Sequence, residues 1–247
     1  MVASELRQLL TSLQFSDSAF PSGFYTMSHG LEGYSQAQLV ARGDVKNLLA
    51  DLLAHSVGPG DATALAVAHR AAQRRDWDAV QEVDERLFAS KLNAEMRRAS
   101  VRSGHQLTDL AREVIEESQG VGEIDGAGSL DGVGSIDDYA RRVSERSTPG
   151  CQPVATAVIY AALGVTTERA VASDLFAFAV SFVGAALRLR LTDHRQAQVV
   201  LHAIAPDIER AALDAVARDL DDLGGCAPVA DIMSAQHERA EARLFAS

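Results

Sequence analysis

The sequence predicts an all-α protein, a single multi-helix domain of about ten helices. Apolar residues recur at the three-and-four spacing of one helical face, and no stretch of the first 117 residues alternates with the two-residue period of a strand. Ala, Leu and Arg, which lose little side-chain freedom in a helix, recur throughout, and aromatic residues make up only 5% of the chain. A hydrophobic content of 47% is enough for a sizeable core.

The first helices follow from capping and turn residues. Ser4 is a candidate N-cap for an amphipathic helix whose leucines fall on one face, namely Leu6, Leu9, Leu10 and Leu13. Turn formers interrupt the pattern over residues 15–23. Asp44 is a candidate N-cap for a further helix, which is expected to stop at residues 58–60, Gly-Pro-Gly, and to restart at Asp61.

Residues 118–136 interrupt the helical pattern with six glycines. That composition is typical of a flexible loop or linker, so the segment is either a domain boundary or a surface insertion. Helical runs of similar chemistry resume after it and continue to the C-terminus. We therefore predict one helical domain over residues 1–247 that carries a flexible Gly-rich insertion at 118–136.

The composition excludes several classes of partner and location. A net charge of -11 and a pI near 5.0 argue against nucleic-acid binding, which needs a local surplus of Lys and Arg. The N-terminus lacks a basic region followed by an apolar core, and the most apolar stretch, residues 174–187, is shorter than the roughly 20 residues of a membrane span. We expect a cytoplasmic protein that binds no membrane.

Motifs for catalysis, metal or nucleotide are missing from the sequence. The Gly-rich segment has no Gly-Lys-Ser/Thr ending, and the seven histidines form no short metal-binding pattern. No Gly-x-Ser-x-Gly elbow is present. Cys151 and Cys226 are too few for a disulfide framework, so two buried free thiols are expected. The sequence predicts no catalytic, cofactor-binding or metal-binding residue.

Residues 10–34, LTSLQFSDSAFPSGFYTMSHGLEGY, resemble the N-terminal signature of the UreF family, in which a Pro-x-Gly turn leads into a Ser-x-Gly-Leu-Glu helix. The matching positions are Pro21, Gly23, Tyr25, Ser28, Gly30, Leu31 and Glu32. A turn that opens a helix accounts for Pro21 and Gly23. It does not account for Gly30 inside the helix, where Gly costs about 1 kcal/mol relative to Ala, so close packing or partner contact is expected there.

Two further segments carry the resemblance. Residues 93–104, NAEMRRASVRSG, are similar to the family's Glu-x-Arg helix, in which Glu95 and Arg98 are spaced to pair on one face. Residues 237–247, HERAEARLFAS, match the family's ending, either as a packed terminus or as a docking peptide. The chain departs from the family at three positions, Met27, Asp193 and His194.

The resemblance implies an adaptor that catalyses nothing itself. UreF proteins are all-α, form dimers, bind UreD (UreH in some systems) and recruit the GTPase UreG to apo-urease, so nickel and GTP would act through the partners and no cofactor is expected here. The resemblance implies that the seven matching positions of residues 10–34 belong to a surface shared with the GTPase or to the path of the metal. It implies the same, less directly, for Arg188. The C-terminal set implied for UreD is His237, Arg243, Leu244 and Phe245.

Two alternatives stay open at this point. A helical-bundle enzyme or small-molecule-binding protein would bring polar groups together in one deep pocket, with the histidines and Tyr25 as first candidates. A structural helical dimer would use the signature segments as core. A broad open patch around Glu32 would favour the adaptor.

Overall fold

The computed structural model of the protein describes residues 2–23, 26–119 and 130–245, and over these ranges it contains helices and turns but no β-strand. The predicted all-α fold is confirmed. The helices are α1 (Val2–Ser16), α2 (Leu31–Gln36), α3 (Val45–Leu52), a π-helical segment (Leu53–Ala62), α4 (Thr63–Gln73), α5 (Trp77–Ser90), α6 (Ala94–Gln119), α7 (Leu130–Ser144), α8 (Gln152–Ala162), α9 (Thr167–Arg188), α10 (His194–Ala203), α11 (Ala205–Ala217), a 3-10 turn (Leu220–Asp222) and α12 (Pro228–Glu238).

The core is built around α8 and α9. Residues 152–160 of α8 are all buried, and this helix packs against α4, α6 and α7. By length and composition α9 could cross a membrane, so the expectation that no stretch reaches that length is wrong. However, 61% of its most apolar window is buried inside the protein, against α1, α4, α10 and α11. This burial identifies α9 as a core helix.

The helix predicted to stop at residues 58–60 does not stop. The chain runs from α3 to α4 through the π-helical segment, which holds Pro59 in its interior. Pro59 has no N–H, so one carbonyl of the preceding turn has no donor within the helix. Cys226 N donates to His55 O at 2.8 Å and Gly224 N to Pro59 O at 3.1 Å, so a distant segment supplies donors to these carbonyls.

A buried carboxylate fixes the turn that leads into α8. Asp84 on α5 accepts hydrogen bonds from Thr148 Oγ1 at 2.6 Å, Gly150 N at 2.7 Å, Cys151 N at 2.9 Å and Tyr139 Oη at 3.3 Å. Gly150 adopts a left-handed backbone with φ of 81°. The turn between α7 and α8 is therefore held by the carboxylate of Asp84.

Other expectations need correction. Residues 118–119 belong to α6 and 130–136 to α7, so both ends of the predicted insertion are helical, while residues 120–129 lie outside the described part of the chain. Cys151 is buried as expected, but Cys226 is exposed because it lies in the surface segment that caps the π-helical segment. Ser4 lies inside α1 rather than at its N-cap. The leucines of α1 are 49–65% exposed.

Candidate functional site

Three segments that are far apart in the sequence meet at one buried histidine. His237 on α12 approaches Glu32 Oε2 on α2 with its Nε2 at 2.8 Å and Glu95 Oε2 on α6 with its Nδ1 at 3.0 Å. The exposed fractions of the three side chains are 1%, 6% and 4%, respectively. The two ring nitrogens of His237 therefore each have a carboxylate oxygen within hydrogen-bond distance, and the ring joins α2 to α6.

The C-terminal tail closes onto the same carboxylates. Arg243 Nη1 donates to Glu95 Oε1 at 2.8 Å, and the amides of Leu244 and Phe245 donate to Glu32 at 2.8 and 3.0 Å. The two carboxylates thus share one imidazole ring and one guanidinium, and two backbone amides complete the hydrogen bonds of Glu32. We call Glu32, Glu95, His237 and Arg243 the clasp.

The Phe245 side chain gives the tail an apolar anchor. Its ring is buried, and the Arg188 guanidinium carbon lies 4.2 Å from the ring centroid, in a cation–π arrangement. Gln36 Nε2 on α2 also donates to the Ala242 carbonyl at 3.2 Å. The tail is therefore a packed terminus in this structure.

Two glycines place Glu32 at the clasp. Gly30 is the N-cap of α2 with φ of 83°, so it does not lie inside the helix as expected; the left-handed backbone explains why glycine stands there. At Gly33 a Cβ atom would lie 2.4 Å from the Met233 carbonyl oxygen. Only glycine lets α2 and α12 approach this closely, and that approach brings Glu32 to His237.

Two cavities, each partly open to solvent, lie between the helices. One of about 200 Å³ is bounded by residues 15–22, α8, α9 and α10, and one of about 130 Å³ is bounded by residues 27–30, the π-helical segment, α6, α9 and α12. Gln152 and Asp174 line both cavities, and Gln152 Nε2 donates to Asp174 Oδ1 at 2.7 Å. Burial raises the pKa of Asp174 to about 6.

The smaller cavity also collects charged and polar side chains. Lys91 Nζ lies 2.7 Å from Asp61 Oδ1, and His29 Nε2 lies 2.9 Å from Ser181 Oγ. Burial lowers the pKa of His29 to about 4, which keeps this ring neutral. Among the residues that the structure describes, no group of three or more His, Cys, Asp or Glu side chains is arranged to hold a metal ion.

Comparison with known proteins decides the family. The UreF family model matches residues 40–205. The chain belongs to the UreF family. It is 30% identical to urease accessory protein UreF 2 of Brucella canis over 237 residues, which cover 96% of this chain and 91% of the relative. It is 29% identical to urease accessory protein UreF of Trichodesmium erythraeum over the full length of both chains, and 28% identical to that of Yersinia enterocolitica over 241 residues.

The residues that the UreF resemblance singled out occupy three kinds of position. Buried residues are Ser28, Gly30, Leu31, Glu32, His237 and Phe245; Gly23 and Arg188 are half-buried; Pro21, Arg243 and Leu244 are exposed. Tyr25 lies outside the described residues. The Glu32 side chain is 6% exposed, and six of the eleven described members of this set lie beneath the surface that a partner protein would meet.

Glu95 is a site residue that the sequence reasoning assigned to another role. Its expected pairing with Arg98 is wrong, because Glu95 contacts His237 and Arg243, while Arg98 pairs with Glu238 at 3.2 Å. A signal was available: Glu95 begins the buried stripe of α6 that continues at four-residue spacing through Ala99, Ser103, Leu107 and Ala111. A carboxylate at the head of such a stripe needs a buried cationic partner.

Proposed function

We propose that this UreF-family protein is an adaptor in urease maturation that catalyses no reaction itself. In this role it bridges the UreD (UreH) protein and the GTPase UreG to apo-urease and supports GTP-dependent nickel insertion. The observation that carries the proposal is the similarity to proteins named urease accessory protein UreF over 96–100% of the chain. Nickel and GTP act through the partners in this proposal, and the assembly is cytoplasmic.

The clasp supports a specific part for the C-terminus. It fixes the backbone on either side of Leu244, whose side chain is 65% exposed, next to the half-exposed Arg243. A leucine held rigidly at the surface loses little conformational entropy when a partner covers it. In this proposal Leu244 and Arg243 contact UreD, whereas Glu32, His237 and Phe245 hold the tail in the shape that UreD binds.

The apolar surface of the N-terminal helix supports a homodimer. Exposed leucines of α1 lie beside α9, where Phe176 is also exposed, and a groove between the two helices is lined by Leu6, Leu9, Arg169 and Ala172. Contiguous apolar surface of this kind marks protein–protein contacts. A second copy of the chain is the partner we propose for this surface.

Co-purification tests the adaptor. The protein is expressed with UreD and UreG homologues, with and without GTP and nickel, as wild type and as Leu244→Asp. We expect wild type to assemble with both partners and Leu244→Asp to lose UreD by roughly 30-fold in affinity, the effect of a hot-spot residue worth about 2 kcal/mol. A wild-type chain that captures neither partner would refute the adaptor.

The matched control is Leu213→Asp on α11, since Leu213 is 58% exposed and far from the clasp in the fold. It should retain UreD. Removal of residues 237–247 is a poorer test because it also takes the His237 ring from between two buried carboxylates, which destabilises the protein independently of any partner.

A core-pocket binding protein is a second candidate, favoured by the polar groups around the smaller cavity. Those groups are hydrogen-bonded to one another, as in the pairs Gln152–Asp174 and Lys91–Asp61, so a ligand would have to replace existing bonds. Thermal-shift screening with small polar compounds separates the two candidates. The adaptor predicts no saturable rise in Tm.

A further inference from the structure

The larger cavity, of about 200 Å³, has apolar walls and one buried carboxylate among the described residues that line it. Phe15, Phe20 and Tyr160 form one wall, in which the rings of Phe15 and Phe20 lie 4.9 Å apart and the ring of Tyr160 meets that of Phe15 edge to face. Helices α9 and α10 supply aliphatic side chains to the other walls. The buried carboxylate is that of Asp174, since Asp17, at the mouth, is exposed. The cavity therefore presents one acidic group within an apolar enclosure.

One oxygen of the Asp174 carboxylate is left without a donor. The residue is only 8% exposed. Gln152 Nε2 donates to Oδ1 at 2.7 Å and Thr156 Oγ1 to the same atom at 3.5 Å, while no described residue donates to Oδ2. Buried carboxylate oxygens normally accept at least one hydrogen bond. Because Asp174 lines both cavities, a donor can reach Oδ2 through one of them.

The charges around Asp174 favour a cation as that donor. In the smaller cavity, Lys91 is already paired with Asp61 at 2.7 Å, and burial lowers the pKa of His29 to about 4, so this ring is neutral. No described Lys, Arg or His side chain lines the larger cavity. Burial raises the pKa of Asp174 to about 6, so its carboxylate is ionised at about pH 8. A cation that enters the larger cavity therefore neutralises a buried anion.

We propose that the larger cavity is a binding site for a small organic amine, an ammonium group on a short arm attached to one aromatic ring or to an alkyl group of similar size. The ammonium donates to Asp174 Oδ2, and the body of the ligand lies against Phe15, Phe20 and Tyr160. A cavity of about 150 Å³ holds benzene, so about 200 Å³ accommodates a ring with an aminoalkyl arm. The faces of aromatic rings also attract cations. This site goes beyond the adaptor role and does not depend on it.

Isothermal titration calorimetry with phenethylamine at about pH 8 tests the site. Phenethyl alcohol carries the same ring with a neutral hydroxyl, and phenylacetate carries the opposite charge. We expect the wild-type chain to bind phenethylamine saturably, the alcohol at least about 10-fold more weakly, and phenylacetate more weakly still. Equal affinity for the amine and either of the other two compounds, or no saturable binding of the amine, would overturn the site. A chain that binds no amine but assembles with UreD and UreG would still be an adaptor.

A variant of Asp174 tests the charge. Asp174→Asn keeps the shape of the side chain and should weaken phenethylamine at least about 30-fold, because it replaces an ionic hydrogen bond, while phenethyl alcohol changes less than about 3-fold. Asp78→Asn makes the same change of charge at a fully exposed position on α5 and should leave both affinities unchanged. Binding of phenethylamine by Asp174→Asn as tight as by wild type would contradict the proposal.

A second variant tests the apolar part of the cavity. Gly184 on α9 lines the cavity, and a Cβ atom there would meet no atom within 4 Å. Gly184→Leu should therefore occupy part of the space without a clash and weaken the amine and the alcohol alike, by about 10-fold. Circular dichroism should show an unchanged helical fold. Unchanged affinity for both compounds in this variant would place the ligand outside the cavity and refute the site.

Discussion

Two buried carboxylate sites hold the chain in opposite ways. Asp84 accepts four hydrogen bonds from neutral donors and fixes an internal turn between α7 and α8, whereas the clasp joins charged groups and fastens the chain end. The hydrogen bonds to Asp84 lie inside the core, so they break only when the surrounding helices unfold. The bonds of the clasp lie near the C-terminal end of the described chain, so they can break while the other helices stay folded. Similar chemistry therefore gives a rigid turn in one place and a releasable contact in the other.

Asp84→Ala tests the first of these two sites and has the largest expected effect on stability. The change leaves four buried donors without an acceptor, those of Tyr139, Thr148, Gly150 and Cys151. We expect the free energy of unfolding to fall by at least about 4 kcal/mol, since each such group costs about 1–3 kcal/mol. Urea denaturation followed by circular dichroism measures it. Asp78→Ala, at a fully exposed site on the same helix, should stay within about 0.5 kcal/mol of wild type.

Glu32→Ala tests the other side of the contrast. It removes the acceptor of His237, Leu244 and Phe245 at once. We expect a local loss equivalent to about 3 kcal/mol, seen as faster hydrogen exchange of the amides of α12 and the tail. Amides of α8 should keep their protection. If α8 amides exchange faster to the same extent, the clasp is part of the global core.

Gly33→Ala probes the packing that supports the clasp. A methyl group at this position would overlap the Met233 carbonyl, so α2 and α12 must separate. We expect a loss of about 2 kcal/mol, confined again to α12 and the tail in hydrogen exchange. Gly43→Ala is the matched control, because a Cβ atom there meets no atom within 4 Å. A loss of protection in Gly43→Ala as large as in Gly33→Ala would contradict the role of this contact.

Asp174 gives an effect that depends on pH. Gln152 and Thr156 donate to its carboxylate, and burial raises its pKa from 3.8 to about 6. The folded state therefore binds the proton more tightly than the unfolded state, and stability falls as pH rises from about 4 to about 6. Asp174→Asn should be about 2 kcal/mol more stable relative to wild type at pH 8 than at pH 4, in parallel thermal melts. A difference that does not change with pH would contradict the assignment.

The fold class could be predicted from the sequence because helical spacing is a local property. The path through residues 58–60 could not, since the carbonyls of His55 and Pro59 accept hydrogen bonds from Cys226 and Gly224, which are far away in the sequence. The left-handed N-cap at Gly30 was also missed, although glycine beside a short helix is compatible with it. In each case a partner distant in the chain or a backbone angle decided the outcome.

The candidate site was predicted in parts. The segments around Glu32, Glu95 and His237 were each recognised, but their meeting point depends on how α2, α6 and α12 pack, which no local pattern encodes. Glu95 was assigned a helical partner because the three-residue spacing to Arg98 permits one. The Glu95 carboxylate is buried, so it contacts His237, which is buried with it, and does not contact Arg98 on the exposed side of the helix.

The hydrogen bonds from Gly224 and Cys226 to the π-helical segment have a consequence for the order of folding. They join residues 55 and 59 to residues 226 and 224, so the loop they close contains about two thirds of the chain. Closing a loop of that length is favourable only after the intervening helices have become compact. During synthesis the carbonyls of His55 and Pro59 lack these donors until residues 224–226 have been made. The C-terminal segment therefore joins the structure late and does not nucleate folding.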